Sequence, residues 1–76
     1  MNQKEFITLI ESIGFKFDNY YGFFVYKEFI VSLWDVKYNF YNGSNWHNNI
    51  PLNELRPLVK YFKNELRSIK LKQLLR

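Results

Sequence analysis

Sixteen of the 76 side chains are aromatic rings: eight Phe, six Tyr and two Trp. Each ring can bury ~150–250 Å², yet a domain of this length buries only roughly 60% of the surface its unfolded form exposes. A core this small cannot hide them all. Several rings are therefore expected at the surface, where contiguous apolar area usually marks a binding site. Rings must also replace the staples on which small domains often rely. The chain has no cysteine, so no disulfide, and His47 is its only histidine. A structural zinc would need about four N, S or O ligands. Aromatic packing and self-association remain.

The rest of the composition is skewed rather than informative. Asn, Lys, Phe, Tyr and Ile fill 37 of 76 positions, and alanine is absent. That choice follows A/T-rich codons and suits many bacteria, their phages and plasmids. No signal peptide is expected, because Met1 to Phe6 lacks a basic region followed by an apolar run. No stretch approaches the ~18 apolar residues of a membrane span. The expectation is a soluble, cytoplasmic protein with no membrane partner.

The pattern along the chain predicts a single domain over residues 1–76. Its fold class is α+β: an N-terminal helix, a three- to four-stranded antiparallel meander and a C-terminal helix, in two layers. The first helix is predicted over 3–13, capped by Asn2 with Glu5 as reciprocal partner and ended by Gly14. Phe6, Leu9, Ile10 and Ile13 give it one apolar face. Segments 15–17, 22–27, 28–34, 36–41 and 44–47 are rich in strand-forming residues. Asn42-Gly43 predicts a tight hairpin, since both residues tolerate positive φ. A last helix is predicted over 53–75, capped by Asn53, with Pro57 in or near its first turn. Its apolar stripe is Leu55, Leu58, Val59, Phe62, Leu66 and Ile69. Leu71, Leu74 and Leu75 leave that stripe and are candidates for a homodimer seam.

Three constellations bear on function. Arg56, Lys60, Lys63, Arg67 and Lys70, spaced four, three, four and three, fall within about 80° on a straight helix. Residues 53–76 hold seven basic and two acidic side chains, residues 1–52 four basic and five acidic. Such a stripe is a solvated helix face, a dock for an acidic protein, or a track for nucleic acid. The second constellation is aromatic: Tyr20, Tyr21, Tyr26, Trp34, Tyr41 and Trp46 lead a set of strand rings that can fill a core, anchor a protein interface or stack bases. Stacking wants basic residues on the same face, and Lys27 and Lys37 have Glu28 and Asp35 beside them. That tilts the reading toward a protein partner.

The third is Asp35-Val36-Lys37, preceded by Asp18. In part it resembles metal-dependent nucleases of the PD-(D/E)xK kind, in which carboxylates hold Mg²⁺ and a lysine sits near the attacked phosphate. Glu11 could supply a helix-borne acid. The chain departs from that pattern: no proline precedes Asp18, and no strand is predicted after the last helix. Asp35 more simply makes a turn. His47 lies in an Asn-rich stretch with no acid beside it and reads as a solvated loop residue. No Gly-rich phosphate loop exists, and no catalytic residue, metal or cofactor is expected.

The expected function is a small non-enzymatic protein-binding domain. Size and composition suggest, by analogy, a phage or mobile-element accessory protein that inhibits a host defence machine by occlusion, its partner a host nuclease complex. The alternative is a nucleic-acid-binding protein that uses the basic C-terminal helix. A minimal nuclease is the remote third reading.

Overall fold

The computed structural model describes the backbone of residues 1–74 and the side chains of residues 1–68. Helix α1 (Gln3–Ile13) is followed by strands β1 (Lys16–Asp18), β2 (Phe23–Tyr26), β3 (Phe29–Trp34), β4 (Lys37–Tyr41) and β5 (Trp46–Pro51), and then by helix α2 (Arg56–Leu74). The strands form one antiparallel sheet in the order β1-β2-β3-β4-β5. The α+β class and the helix–meander–helix order hold, with five strands where three or four were predicted.

Helix α1 forms where its local signals place it. The Asn2 side chain accepts the Glu5 N–H at 2.8 Å, and the Asn2 N–H donates to Glu5 Oε1 at 3.2 Å. Phe6, Ile10 and Ile13 turn inward. Gly14 ends the helix at φ +135°, and a Cβ there would stand 2.7 Å from the Tyr26 ring, so both conformation and space demand glycine.

Two hairpins close through two-residue turns. Tyr26 pairs with Phe29 around Lys27-Glu28, and Trp34 pairs with Lys37 around Asp35-Val36. Lys27 and Asp35 take left-handed φ of +53° and +57°. The Asn42-Gly43 hairpin exists but is not the two-residue turn predicted. It is a four-residue loop, in which Asn42 Oδ1 accepts the N–H groups of Ser44 and Asn45 at 2.9 and 2.8 Å. Gly43 alone takes positive φ there. The asparagine side chain thus mimics a turn rather than making one with its backbone.

Alternation divides the sheet into two faces. Phe24, Phe29, Val31, Tyr38, Phe40 and Ile50 point to the helices and are buried with Phe6, Ile10, Ile13, Phe15, Leu52, Leu58, Phe62 and Leu66. Phe62 is the centre of this core. Its ring meets Phe15, Tyr26, Phe29 and Phe40 at centroid distances of 5.5, 5.9, 4.8 and 6.2 Å. To reach them it leaves helical geometry, at φ −127° and ψ 32°, and α2 is kinked there.

Helix α2 begins at Arg56, three residues later than predicted, and Asn53 does not cap it. Asn53 Oδ1 instead accepts the amino group of Met1 at 2.6 Å, while Glu54 Oε1 accepts the Arg56 N–H at 3.0 Å. Of the predicted apolar stripe, Leu58, Phe62 and Leu66 are buried, Leu55 is half-buried, and Val59 is exposed. The side chains of Ile69, Leu71 and Leu74, and the whole of Leu75, lie outside what the structure describes, and with them the proposed seam.

Candidate functional site

The face of the sheet turned away from the helices contains no buried residue. Pairing places Lys16, Val25, Ile30, Tyr41 and Trp46 side by side in one row across all five strands. Trp34, Lys37 and Pro51 make a second row at one end. Val25, Ile30 and Tyr41 are half-buried, and Trp34 and Trp46 are exposed, at 77% and 44%. Trp46 packs on Tyr41, its cross-strand neighbour, at 5.2 Å, and reaches Phe23 on β2 at 6.4 Å. Three strand spacings separate β2 from β5, about 14 Å in a flat sheet. The two rings nonetheless approach each other over the strands between them. The face is thus an apolar row, Val25, Ile30, Tyr41 and Trp46, with Lys16 at its end; a row of Asp18, Phe23, Ser32 and Asn39 separates it from Trp34 and Lys37.

The sequence-predicted aromatic set divides three ways. Trp34, Tyr41 and Trp46 lie on this open face. Tyr20 and Tyr21 stand on the turn after β1, 86% and 67% exposed, edge to face at 4.7 Å. Tyr26 goes to the other side, half-buried against Phe15 and Phe62, and supports the core rather than a surface.

Arg56, Lys60, Lys63 and Arg67 are all exposed, and the Lys70 side chain lies outside the described residues. They do not form the uninterrupted stripe that a straight helix implies, because the kink at Phe62 falls between Lys60 and Lys63. Arg56 is also engaged: its Nε and Nη2 donate to Glu54 Oε1 and Oε2 at 2.8 and 2.7 Å. Those hydrogen bonds hold the Glu54 carboxyl below its usual range.

The first half of the stripe meets the sheet. Between β5 and the start of α2 lies a cleft of about 660 Å³ whose walls include Trp46, His47, Ile50, Arg56, Lys60 and Tyr61. Trp46 thus belongs to both the open face and the cleft. A polar cluster stands behind it. Asn42 Nδ2 lies 3.2 Å from His47 Nε2 and donates to the Tyr61 hydroxyl at 3.1 Å. His47 is exposed as expected, but it is a β5 residue rather than a loop residue, and its Nε2 has Asn42 as a partner. Asn42 and Tyr61 were not singled out from the sequence. The Asn-Gly signal placed Asn42 beside the returning strand, but nothing local could bring Tyr61 there across 19 positions.

Beneath the cleft, Tyr38 is fully buried and its hydroxyl donates to the Glu54 carbonyl at 2.7 Å. Burial, and then the Glu54 carboxylate, push this phenol well above the usual range.

The acidic residues of the nuclease pattern serve turns. Asp18 Oδ1 accepts the N–H groups of Tyr20 and Tyr21 at 2.8 and 3.2 Å, which orients the exposed tyrosine pair. Asp35 occupies the left-handed turn position, and its carbonyl accepts from Gln3 Nε2 at 2.6 Å. Glu11 is exposed on α1. Among the described residues no three His, Asp or Glu side chains gather as metal ligands, and no helix is long and apolar enough to cross a membrane. Comparison with protein families, with curated proteins and with solved structures finds no match to this chain.

Proposed function

We propose that the chain is a small non-enzymatic protein-binding domain that docks through the open face of its sheet. The observation that carries this reading is the row Val25, Ile30, Tyr41 and Trp46, flanked by Phe23, with Trp34 exposed beyond Ser32 and Asn39, on a face with no buried residue. Tyr and Trp at the middle of an interface dominate its energy. The partner is an acidic protein: Lys16 and Lys37 stand at the edges of this face, and residues 53–76 add seven basic side chains against two acidic ones. Small size and an oversized contact face suit an accessory protein of a phage or mobile element that occludes a host defence machine, such as a nuclease complex, in the cytoplasm.

The test is affinity capture from a bacterial lysate that contains such a nuclease system, with wild type and a Trp34→Asp/Lys37→Glu variant in parallel. Binding of the captured, purified partner is then measured. Both positions are exposed, so the variant should keep a cooperative urea transition. Its affinity should fall by roughly thirtyfold or more, as for a lost hot spot. Equal affinity of the two proteins would sink the sheet-face reading.

A second reading rests on the exposed cations Arg56, Lys60, Lys63 and Arg67: nucleic-acid binding along α2. It requires affinity that collapses between about 50 and 200 mM salt. It also requires that Lys60→Glu with Arg67→Glu abolish that affinity.

A further inference from the structure

The cleft between β5 and α2 has a chemistry of its own. Its aromatic walls are Trp46 and Tyr61, and Ile50 supplies an apolar surface between the two elements. Its one acid, Glu54, has both carboxylate oxygens occupied by Arg56. With that pair balanced, the uncompensated charge is the Lys60 ammonium, which lies 5.6 Å from the centre of the Tyr61 ring. The guanidinium of Arg56 uses Nε and Nη2 on Glu54 and keeps Nη1 as a donor for a second acceptor.

The imidazole in the cleft wall has a defined tautomer. Asn42 Oδ1 is fixed by two backbone N–H groups, so the amide of Asn42 can be oriented in one way only, with Nδ2 toward His47. Nδ2 is a donor, so Nε2 of His47 accepts and the neutral ring carries its proton on Nδ1. The cleft therefore combines two π surfaces, an apolar wall, an ammonium and spare guanidinium N–H groups, with His47 in its lining. Its volume of about 660 Å³ falls within the roughly 300–1,000 Å³ of small-molecule sites.

We infer that the β5–α2 cleft binds a nucleoside phosphate, its base against Trp46 or Tyr61 and its phosphate between Lys60 and Arg56. A simple anion would leave the aromatic walls unused, and an uncharged ring would leave Lys60 unanswered. Base–aromatic stacking is sequence-tolerant, and charge-assisted contacts hold the phosphate. The same group arises as a free mononucleotide or as the phosphorylated end of a nucleic-acid strand. This inference does not depend on docking through the open face.

The test is an NMR titration of the intact protein with adenosine monophosphate, adenosine, inorganic phosphate, and a single-stranded oligonucleotide with and without a 5′-phosphate. The Trp46 indole, the His47 ring and the Tyr61 ring are followed. The monophosphate should give saturable shifts at all three, with adenosine and phosphate alone weaker by roughly tenfold or more each. Lys60→Gln, at an exposed position that cannot disturb the core, should weaken the monophosphate by about tenfold. Tyr61→Phe keeps the ring and should bind nearly as well. Absence of saturable shifts up to about 10 mM, weaker than any specific small-ligand site, would overturn the inference. So would an unchanged affinity in Lys60→Gln. Tighter binding of the phosphorylated oligonucleotide than of the monophosphate identifies a strand end as the source, and the reverse order a free nucleotide.

Discussion

Tyr38 joins three parts of the molecule through one hydroxyl. Its ring packs on Phe6 of α1 at 4.6 Å, its backbone lies in β4, and its O–H donates to the carbonyl just before α2. Because burial makes the folded phenol a weaker acid, the neutral form is the one that the fold prefers. The sign of the pH dependence follows. An unfolded tyrosine ionises near pH ~10, so the contribution of Tyr38 is fully present below that value. It is lost as pH rises above it, through the higher folded value. Wild type should therefore lose stability steeply in the alkaline range, and Tyr38→Phe should flatten that loss. At neutral pH the same variant should be less stable by about 1–2 kcal/mol, because the Glu54 carbonyl loses its donor. Urea midpoints at neutral and alkaline pH check both. An alkaline slope unchanged by Tyr38→Phe would assign the effect to another group. None of this was legible in the sequence: Tyr38 is one of six tyrosines, and only the sheet register sends it inward while Tyr41, three residues on, goes out.

The elements differ in how far local signals determine them. For α1 every signal is local, from Asn2 and Glu5 to Gly14, and its predicted bounds are those observed. In β5 the strand former Ile50 is preceded by Asn48 and Asn49, poor strand residues. The strand runs through them with a bulge, where Asn39 Oδ1 accepts the Asn49 N–H at 2.9 Å and Asn49 takes φ +59°. A side chain on the neighbouring strand makes that possible, so composition alone pointed to a loop. For α2 the apolar spacing was readable but the kink was not. At the kink the Phe62 ring meets four aromatic neighbours, which come from as far back as Phe15. Hence the cationic stripe, derived on a straight helix, is divided in two. If the rings hold the kink, Phe62→Leu should cost about 1–3 kcal/mol, from lost ring pairs and imperfect refilling. A denaturation midpoint equal to wild type would show that these ring pairs add nothing to stability.

At the scale of the whole molecule, charge and aromatic surface were both legible as excesses, but not their arrangement. The sequence pattern left open which sheet face is exposed, because a one-residue slip exchanges the two. The register settles it and draws the rings apart: Tyr26 to the core side, Trp34, Tyr41 and Trp46 to the open side. The cleft could not be foreseen, since it needs β5 and α2 side by side. Basic residues concentrated at one end should steer an acidic partner before contact. Lys63→Glu with Arg67→Glu should therefore slow association with that partner several-fold at low salt and change dissociation little. Stopped-flow association rates at two ionic strengths check this, and an association rate unaltered by the substitutions would remove steering from the account.

A meander in which each strand pairs only with its neighbours in the chain never closes, so β1 and β5 keep one unpaired margin each. Such margins recruit further strands and seed fibrils unless something blunts them. Here β1 is three residues long and begins with a lysine, while β5 is broken by its bulge and ends in Pro51. Neither offers a straight ladder on which another chain could grow. A chain rich in exposed rings can thus accumulate at high copy number without polymerising through its backbone, and its stickiness is confined to side chains.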